Sequence, residues 1–387
     1  PVIGTCLFAT FSFNLILIIV SLSYFLSFLQ ELFIKYEKIT NLSKEKSSFF
    51  KDFKEGISYI KSKKIIFLGS GTSFNVSTLA AYYFKHLAGV YAEAYYPTVF
   101  KLHEQIDWSK TINPQHVLCV GISQSGTSVS TCEALDYAQR LGCKTLALTS
   151  NRKSTITQFS EVSVDLLVGE ELTPPETKGY TVSVLSVLLW ALETGLIKGS
   201  ISQGEYEEYL KNIETLIKSY EVVLKESHSW YERNKASLVN SNRLIILGYG
   251  VDYASVLEGV LKVGEMLRIP TFGYEMEEYS HGPNMALNPN QSILLIGSEG
   301  PEFERLQVFQ EVFKKYTDRV HILTCCALNK FDTRDLVLSV KPYPFVAPLA
   351  FAPVFQYIAA QGAQDIFIDT GIDPFKEPLS HYPKDIS

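Results

Sequence analysis

The chain has 387 residues, of which 46% are hydrophobic and 20% are charged. This length and composition exclude a disordered protein and leave room for two domains of ordinary size with substantial cores. The formal net charge of −6, without a block of basic residues, argues against nucleic acid as a partner.

An apolar extension, residues 1–45, differs from the rest of the chain. Residues 1–30 carry no charge, and the apolar stretch 7–29 is long enough to span a bilayer. Several lysines follow it, which by the positive-inside rule would leave the remainder in the cytoplasm. We therefore expect a cytoplasmic protein in which residues 7–29 are either a membrane anchor or a non-native extension. The six cysteines lack metal-ligand or disulfide-framework spacing, so we expect reduced thiols and no metal site.

From about residue 46 onward, the first half of the chain alternates strands with helices. We predict a short helix at 53–60, strands at 64–68, 91–96, 117–120, 144–148 and 162–167, helices at 75–87 and 131–141, and a buried helix at 181–196. The charged segment 205–235 has helical periodicity and is predicted to be a surface helix that joins two halves.

The segment Val117–Ser130 joins one of these strands to a helix through a loop rich in hydroxyl groups. Ser123–Ser128 contains four hydroxyl side chains and the amide of Gln124. Such a loop offers N–H groups, hydroxyl donors and a helix dipole to an anion. No lysine follows Gly126, so the loop is not a Walker A motif. We predict a phosphate-binding loop, although an ordinary strand-to-helix turn has a similar composition.

The second half of the chain repeats the first. Three segments recur in the same order at offsets of 175 to 179 residues: 65–71 at 244–250, 118–126 at 293–300, and 145–149 at 320–324. This repetition indicates a duplicated domain. We therefore predict an α/β protein with two flavodoxin-like domains, each a parallel sheet with helices on both faces. The expected boundaries are 46–200 and 236–372, with a helical connection at 201–235 and a tail at 373–387.

The second copy differs from the first in the loop that follows its central strand and in its charged residues. Its loop Ile293–Gly300 contains a glutamate, which disfavours phosphate, so only the first copy is expected to bind an anion. Glu258, Lys262 and Glu265 are spaced to lie on one helix face, either as functional groups or as a solvated stripe of ion pairs. The segment 274–283, predicted to be a loop, contains a lone histidine, His281, which could equally be structural.

Four motifs together resemble the paired SIS (sugar isomerase) domains of phosphosugar isomerases and deglycases. They are Gly69–Ser73, Ser123–Ser128, Glu258–Lys262 with Glu265, and Glu278–Pro283. The resemblance covers residue 49 to the C-terminus and includes the isomerase half of glucosamine-6-phosphate synthase and the fructosamine-6-phosphate deglycases. It implies two tandem SIS domains, a homodimer or higher homo-oligomer, no cofactor, and a phosphosugar pocket built across domains and subunits.

The resemblance also implies roles for individual residues. It assigns phosphate binding to Ser123, Gln124, Ser125 and Ser128, further substrate contacts to Thr72, Ser73, Glu258 and Lys262, and catalysis to Glu265 and His281. The segment 174–178 falls where the family has a loop beside the sugar, but its residues differ from the family's, so the resemblance assigns it no role. The tail also departs from the family motif, so Lys384 is only a candidate for a catalytic lysine, with Lys376 or His381 as alternatives.

The expected function is aldose–ketose isomerisation or deglycation of a ketose or fructosamine 6-phosphate through an enediol or enolamine. Glutamine-dependent amidotransfer is not expected, because the residues upstream of the first SIS motif are too few and too apolar for a glutaminase domain. One alternative is a regulatory protein that binds a sugar phosphate, although no helix-turn-helix segment is recognisable. Another is an ammonia-dependent isomerase that forms glucosamine 6-phosphate.

Overall fold

The computed structural model describes residues 63–169, 171 and 175–372 of the chain. The predictions for the apolar extension 1–45, for the helix at 53–60 and for the tail 373–387 lie outside these residues. The tail includes all three candidates for a basic catalytic group, Lys376, His381 and Lys384.

The first domain is built on five parallel strands in the order β2-β1-β3-β4-β5. The strands are β1 (Lys64–Leu68), β2 (Tyr91–Tyr95), β3 (Val117–Ile122), β4 (Lys144–Thr149) and β5 (Val162–Asp165). Every residue of β3 is buried, as expected for a central strand that is covered on both faces.

The second domain repeats this sheet with the order β7-β6-β8-β9-β10. Its strands, again all parallel, are β6 (Arg243–Gly248), β7 (Thr271–Glu275), β8 (Gln291–Gly297), β9 (Val320–Thr324) and β10 (Leu336–Val337). Because each strand has the same place in its sheet as its counterpart in the first domain, the predicted fold of two flavodoxin-like domains is confirmed.

The helices cover the sheets and connect the two domains. They are α1 (Thr72–His86), α2 (Pro97–His103), α3 (Val129–Arg140), α4 (Lys178–Lys198), α5 (Gln203–Lys218), α6 (Tyr220–Val239), α7 (Tyr253–Leu267), α8 (Met276–Tyr279), α9 (Phe303–Phe313) and α10 (Ala347–Asp365). Helix α4 is long and apolar enough to cross a membrane, but most of it is buried inside the protein.

Three clusters of apolar side chains form the interior. Alternate residues of β1 illustrate the division, because Ile65 and Phe67 face a cluster shared by both domains, whereas Ile66 and Leu68 face an outer cluster of the first domain. The shared cluster includes residues of α1, α4, α7 and α10, and the third cluster lies on the outer face of the second sheet. The two domains are therefore joined by a continuous core, which fixes the position of groups contributed by each.

Two local predictions were wrong. The segment 205–235 forms two helices that meet at Ser219, and the second of them buries Trp230 and Tyr231. The first helix begins with a capping box in which Ser202 and Glu205 bond each other's backbone N–H groups. The segment 274–283 is not a continuous loop either, because it contains the end of β7 and the short helix α8.

Candidate active site

The loops that follow β1 and β3 lie side by side at the carboxyl edge of the first sheet. The two strands are neighbours although another strand separates them in sequence, so this is the topological switch point of the sheet, where ligands of such folds bind. The Ser70 hydroxyl, in the loop after β1, lies 3.1 Å from the Ser130 hydroxyl at the start of α3, which follows the loop after β3.

The Ser123–Ser128 loop is held by hydrogen bonds within itself and to the neighbouring strand. Ser123 N donates to Leu148 O at 3.0 Å, and the Gly126 N–H donates to the Ser123 carbonyl and hydroxyl, both at 3.1 Å. The Gln124 carbonyl accepts hydrogen bonds from the Thr149 and Ser150 side chains. These contacts fix the loop in one conformation before any ligand binds, with Gly126 at a φ of 68°.

The side chain of Gln124 is anchored by a carboxylate that caps helix α4. Its Nε2 donates to Glu171 at 2.9 Å, and Glu171 also accepts from the N–H groups of Thr177, Lys178 and Gly179 at 2.6 to 3.0 Å. Burial alone would raise the pKa of Glu171, but these hydrogen bonds outweigh it and lower the pKa to about 2. Glu171 is therefore ionised at neutral pH and ties the Ser123–Ser128 loop to the start of α4.

A group of charged residues from the second domain faces this loop. On α7, Lys262 Nζ lies 2.7 Å from Glu265 Oε1 and 3.7 Å from Glu258 Oε1. Lys262 and Glu258 are almost fully buried, whereas about a third of the Glu265 side chain is exposed. Asn75 and Thr72 of the first domain donate hydrogen bonds to Glu258. Glu258 and Lys262 are thus buried in a network from which only Glu265 reaches solvent, and the three residues are not a solvated stripe of ion pairs.

Burial dominates the electrostatics of Glu258. It raises the pKa of this carboxyl to about 7, although the nearby Lys262 ammonium and the Asn75 hydrogen bond oppose the shift. Glu258 lies 3.7 Å from Lys262 and does not itself line the open space beside Glu265.

A cleft of about 370 Å³ lies between the hydroxyl loops and α7. It is lined by Ser70, Gly71, Thr72, Ser73, Ile122, Ser123, Gln124, Ser125, Ser128, Ser130, Thr131, Glu176, Leu261, Lys262 and Glu265. One wall is therefore rich in hydroxyl groups and the other carries the Lys262–Glu265 ion pair. This arrangement can hold an anion at one end and place a carboxylate beside the rest of the same ligand.

The structure brings most of the predicted site residues to this cleft, and their roles stay predictions. Of the residues named from the sequence, Thr72, Ser73, Ser123, Gln124, Ser125, Ser128, Lys262 and Glu265 line it. His281 is exposed in a turn after α8 and does not line the cleft of its own chain.

The second domain fills its corresponding loop with one of its own carboxylates. Asp252 Oδ2 accepts hydrogen bonds from the N–H and the hydroxyl of Ser298, each at 2.7 Å. Ser298 follows β8 as Ser123 follows β3, so the donors that would receive an anion there are already engaged. This internal carboxylate supports the expectation of one anion site per chain. The sequence argument for that expectation is the glutamate in the loop 293–300, whereas the structure adds Asp252, which occupies the donors of Ser298.

Replacing Asp252 with Asn is expected to change how stability depends on pH. Burial raises the pKa of Asp252 to about 6, so the folded state takes up a proton near pH 6 that the unfolded state takes up only at lower pH. Relative to Asp252→Asn, the wild type should gain about 1 kcal/mol of unfolding free energy between pH 7 and pH 5. Urea unfolding of both proteins at several pH values measures this difference. If the unfolding free energies of wild type and Asp252→Asn changed in parallel with pH, the prediction would be contradicted.

Three of the groups described above were not singled out from the sequence. Asp252 could have been found, because its place after β6 corresponds to that of Ser73 after β1, and a carboxylate replaces a hydroxyl there. Glu171 and Glu176 lie in a segment without periodicity, so no local pattern distinguishes them from solvent-exposed loop carboxylates. For Glu176 the one signal is the family resemblance, which places the segment 174–178 beside the sugar without assigning a role to any of its residues.

Comparisons with known proteins agree with this architecture. The family model described as the SIS domain matches residues 58–192 and 237–359. The chain is 25% identical over 323 residues to the glutamine–fructose-6-phosphate aminotransferase (isomerizing) of Rhizobium meliloti strain 1021, an alignment that covers 82% of the chain and 52% of that protein. The chain thus spans about half the length of the curated relatives it matches.

Solved structures with the same fold include phosphosugar enzymes. A Clostridium difficile 630 protein provisionally described as a phosphosugar isomerase matches with a TM-score of 0.76 and 28% identity, over 85% of this chain and 92% of that one. The C-terminal domain of the glucosamine-fructose-6-phosphate aminotransferase from Francisella tularensis matches with a TM-score of 0.73 and 21% identity, over 82% and 88% of the two chains. The second match shows likeness of fold alone.

Proposed function

The chain belongs to the SIS-domain family, and from this premise we propose that it is an enzyme acting on a 6-phosphorylated ketose or its amine adduct. The reaction is isomerisation to an aldose phosphate, or deglycation that releases an amine. Two of the relatives named above support a sugar-phosphate substrate, since one is described as an isomerizing fructose-6-phosphate aminotransferase and the other, provisionally, as a phosphosugar isomerase.

One observation carries the proposal, namely the pairing of a hydroxyl-lined loop with a carboxylate across a single cleft. The Ser123–Ser128 loop offers donors to a phosphate, and Glu265 lies on the opposite wall with its charge balanced by Lys262 at 2.7 Å. A phosphate bound at the loop would hold the sugar so that its reacting carbons stay beside Glu265. Holding the substrate beside the catalytic group in this way lowers the entropic part of the activation barrier.

Proton transfer by Glu265 accounts for both reactions. The carboxylate removes a proton from C1 of the open-chain ketose while O2 gains one from solvent, which gives an enediol. Return of a proton to C2 and loss of the proton on O1 then give the aldose. When C1 carries an amine, the first step converts the fructosamine into an enolamine, and protonation of C2 with loss of the N–H proton converts the enolamine into an imine. Water then adds at C1, and the C1–N bond breaks to release the amine and the aldose phosphate.

His281 is proposed to act in the cleft of a second copy of the chain. It is exposed and does not line the cleft of its own chain, and the family resemblance implies a pocket shared between subunits. An imidazole supplied by the partner could pass a proton to or from the ring oxygen and so open the cyclic sugar.

Mixing two inactive variants tests this arrangement. In a mixed dimer of Glu265→Gln and His281→Asn chains, one of the two clefts would contain both wild-type groups if His281 acts across the interface. Random exchange of subunits should then restore up to about a quarter of the wild-type activity. If His281 acts within its own chain, every cleft keeps one defect, and a mixture that stays inactive despite verified exchange contradicts the proposal.

The function itself is tested by assaying purified protein with fructose 6-phosphate and with an ε-fructosyl-lysine 6-phosphate. We expect turnover of at least one of them, detected as formation of an aldose 6-phosphate. Binding without turnover of either compound would favour the alternative of a sugar-phosphate-binding regulator. Formation of glucosamine 6-phosphate only when ammonia is added to fructose 6-phosphate would instead identify an ammonia-dependent isomerase.

A further inference from the structure

We infer that Glu176 recognises a positively charged amine, so that the preferred ligand of the cleft is a sugar phosphate that also carries an ammonium group. The inference rests on the proposed function, because it assumes that a sugar phosphate occupies the cleft with its phosphate at the Ser123–Ser128 loop. It concerns a residue for which neither the sequence motifs nor the proposed chemistry has a role.

Among the described residues, the charges around the cleft leave Glu176 without a counterion. Lys262 is the one cationic side chain among the described residues that line the cleft, and its ammonium group is already bonded to Glu265 and close to Glu258. Glu176 lines the same cleft, and within the described part of the chain it makes no hydrogen bond or ion pair. An anionic group in this position is most favourably paired with a cation from the ligand.

The pKa of Glu176 is consistent with a missing partner. Burial is the main cause and raises the pKa to about 7, although the Lys262 ammonium opposes the shift; the negative charges of Glu171, Glu258 and Glu265 add to it. A bound ammonium group would stabilise the ionised form and remove this penalty. A neutral sugar hydroxyl would do so only weakly, because a hydrogen bond from an uncharged donor is weaker than one from a cation.

The backbone around Glu176 is held in place by contacts that do not involve the ligand. Thr177, Lys178 and Gly179, which directly follow it, all donate their N–H groups to the Glu171 carboxylate. The Gln356 side chain also donates to the Thr177 carbonyl at 2.9 Å. Glu176 is thus attached to the rigid start of α4, and a carboxylate fixed in this way can discriminate between ligands at little cost in ordering.

The lining of the cleft is complementary to a ligand with charges of both signs. Its serine and threonine hydroxyls can bind a phosphate, whereas Glu176 and Glu265 are two carboxylates for the one described cation of the lining, Lys262. A sugar phosphate without an amine can use the hydroxyl donors only, and an amino sugar phosphate or a fructosamine phosphate can also pair with a carboxylate.

Calorimetric binding of matched ligands at pH 7 tests the inference without requiring turnover. Glucosamine 6-phosphate and glucose 6-phosphate differ in having an ammonium group or a hydroxyl at C2, and they serve as the cationic and neutral probes. We expect the wild type to bind the cationic probe at least ~10-fold more tightly, a difference of about 1.4 kcal/mol. Glu176→Gln should reduce the ratio to about 1 by weakening the cationic probe alone. Glu304→Gln, which changes an exposed carboxylate on α9, should leave the ratio unchanged.

The outcomes separate this inference from the proposed function. A ratio near 1 in the wild type, or equal weakening of both probes by Glu176→Gln, overturns the role of Glu176 even if the protein turns over a sugar phosphate. A ratio that collapses only in Glu176→Gln supports the role even if no turnover is found. Ser125→Ala is expected to weaken both probes equally, because it removes a donor at the phosphate end.

Discussion

Replacing Glu265 with Gln should lower kcat by about 10³-fold while the affinity for a sugar phosphate changes by less than ~3-fold. The amide has nearly the shape of the carboxylate but cannot accept the proton from C1. Lys262 keeps the Glu258 carboxyl group 3.7 Å away, so the buried ammonium group still has a polar neighbour. Ligand binding at the Ser123–Ser128 loop should therefore survive. Steady-state kinetics and calorimetry on the same preparations measure the two effects.

The matched control is Glu277→Gln, which neutralises an exposed carboxylate that is also paired with a basic side chain, Arg305 at 2.7 Å. It should leave kcat within ~2-fold of the wild type, since surface ion pairs contribute little. A loss of less than ~10-fold for Glu265→Gln would show that Glu265 is not the base. Equal losses of binding and turnover would assign it to ligand binding instead.

The second large effect is expected from Gly126→Ala in the Ser123–Ser128 loop. Gly126 has a φ of 68°, and a Cβ atom added there would lie 1.8 Å from Ser154 Oγ and 2.8 Å from Thr149 Oγ1. An L-residue is strained in this conformation, and the loop must move to relieve the contact. We expect the affinity for inorganic phosphate and for fructose 6-phosphate to fall by about 100-fold, equivalent to about 2.7 kcal/mol.

Gly204→Ala is the control for this substitution, because a Cβ atom at Gly204 in α5 meets nothing within 4 Å. It should leave binding unchanged. Circular dichroism and thermal unfolding establish whether Gly126→Ala is folded, and Ser125→Ala, which makes no steric demand, tests the same loop if it is not. Wild-type affinity in both loop variants would contradict phosphate binding at this loop.

Much of the fold could be predicted because it is encoded in short segments. The strand at Val117 was identified from its apolar and β-branched residues, and the duplication from three segments repeated in order. The structure confirms both, and the two sheets share one strand order. The helices α1 and α3 begin two or three residues earlier than predicted, at Thr72 and Val129. In both helices the backbone hydrogen bonds begin a few residues before the periodic pattern of apolar residues from which the helix is predicted.

The errors have a different origin, because they depend on packing between distant segments. The charged pattern of 205–235 predicts a surface helix, because polar and charged residues surround Trp230 and Tyr231 in the sequence. Their burial against the second domain, where Trp230 Nε1 donates to Arg334 O at 2.7 Å, is not visible in local periodicity.

The charge network of the site shows the same limit. Spacing placed Glu258, Lys262 and Glu265 on one helix face, but it could not decide between a solvated stripe and a buried network. The decision comes from Asn75, which donates to Glu258 across 183 positions of sequence, and from the burial of Lys262 in the contact between domains. A contact at this separation cannot be found from the periodicity of either segment.

The most direct test of the central claim is exchange of carbon-bound protons with solvent. Wild-type protein is incubated in D₂O with fructose 6-phosphate and with a fructosamine 6-phosphate, and deuterium at C1 and C2 is followed by NMR. Proton transfer through an enediol or enolamine predicts deuterium incorporation with at least one substrate in the wild type, and incorporation about 10³-fold slower with Glu265→Gln at saturating ligand. Binding of both compounds by the wild type without any exchange would contradict the account.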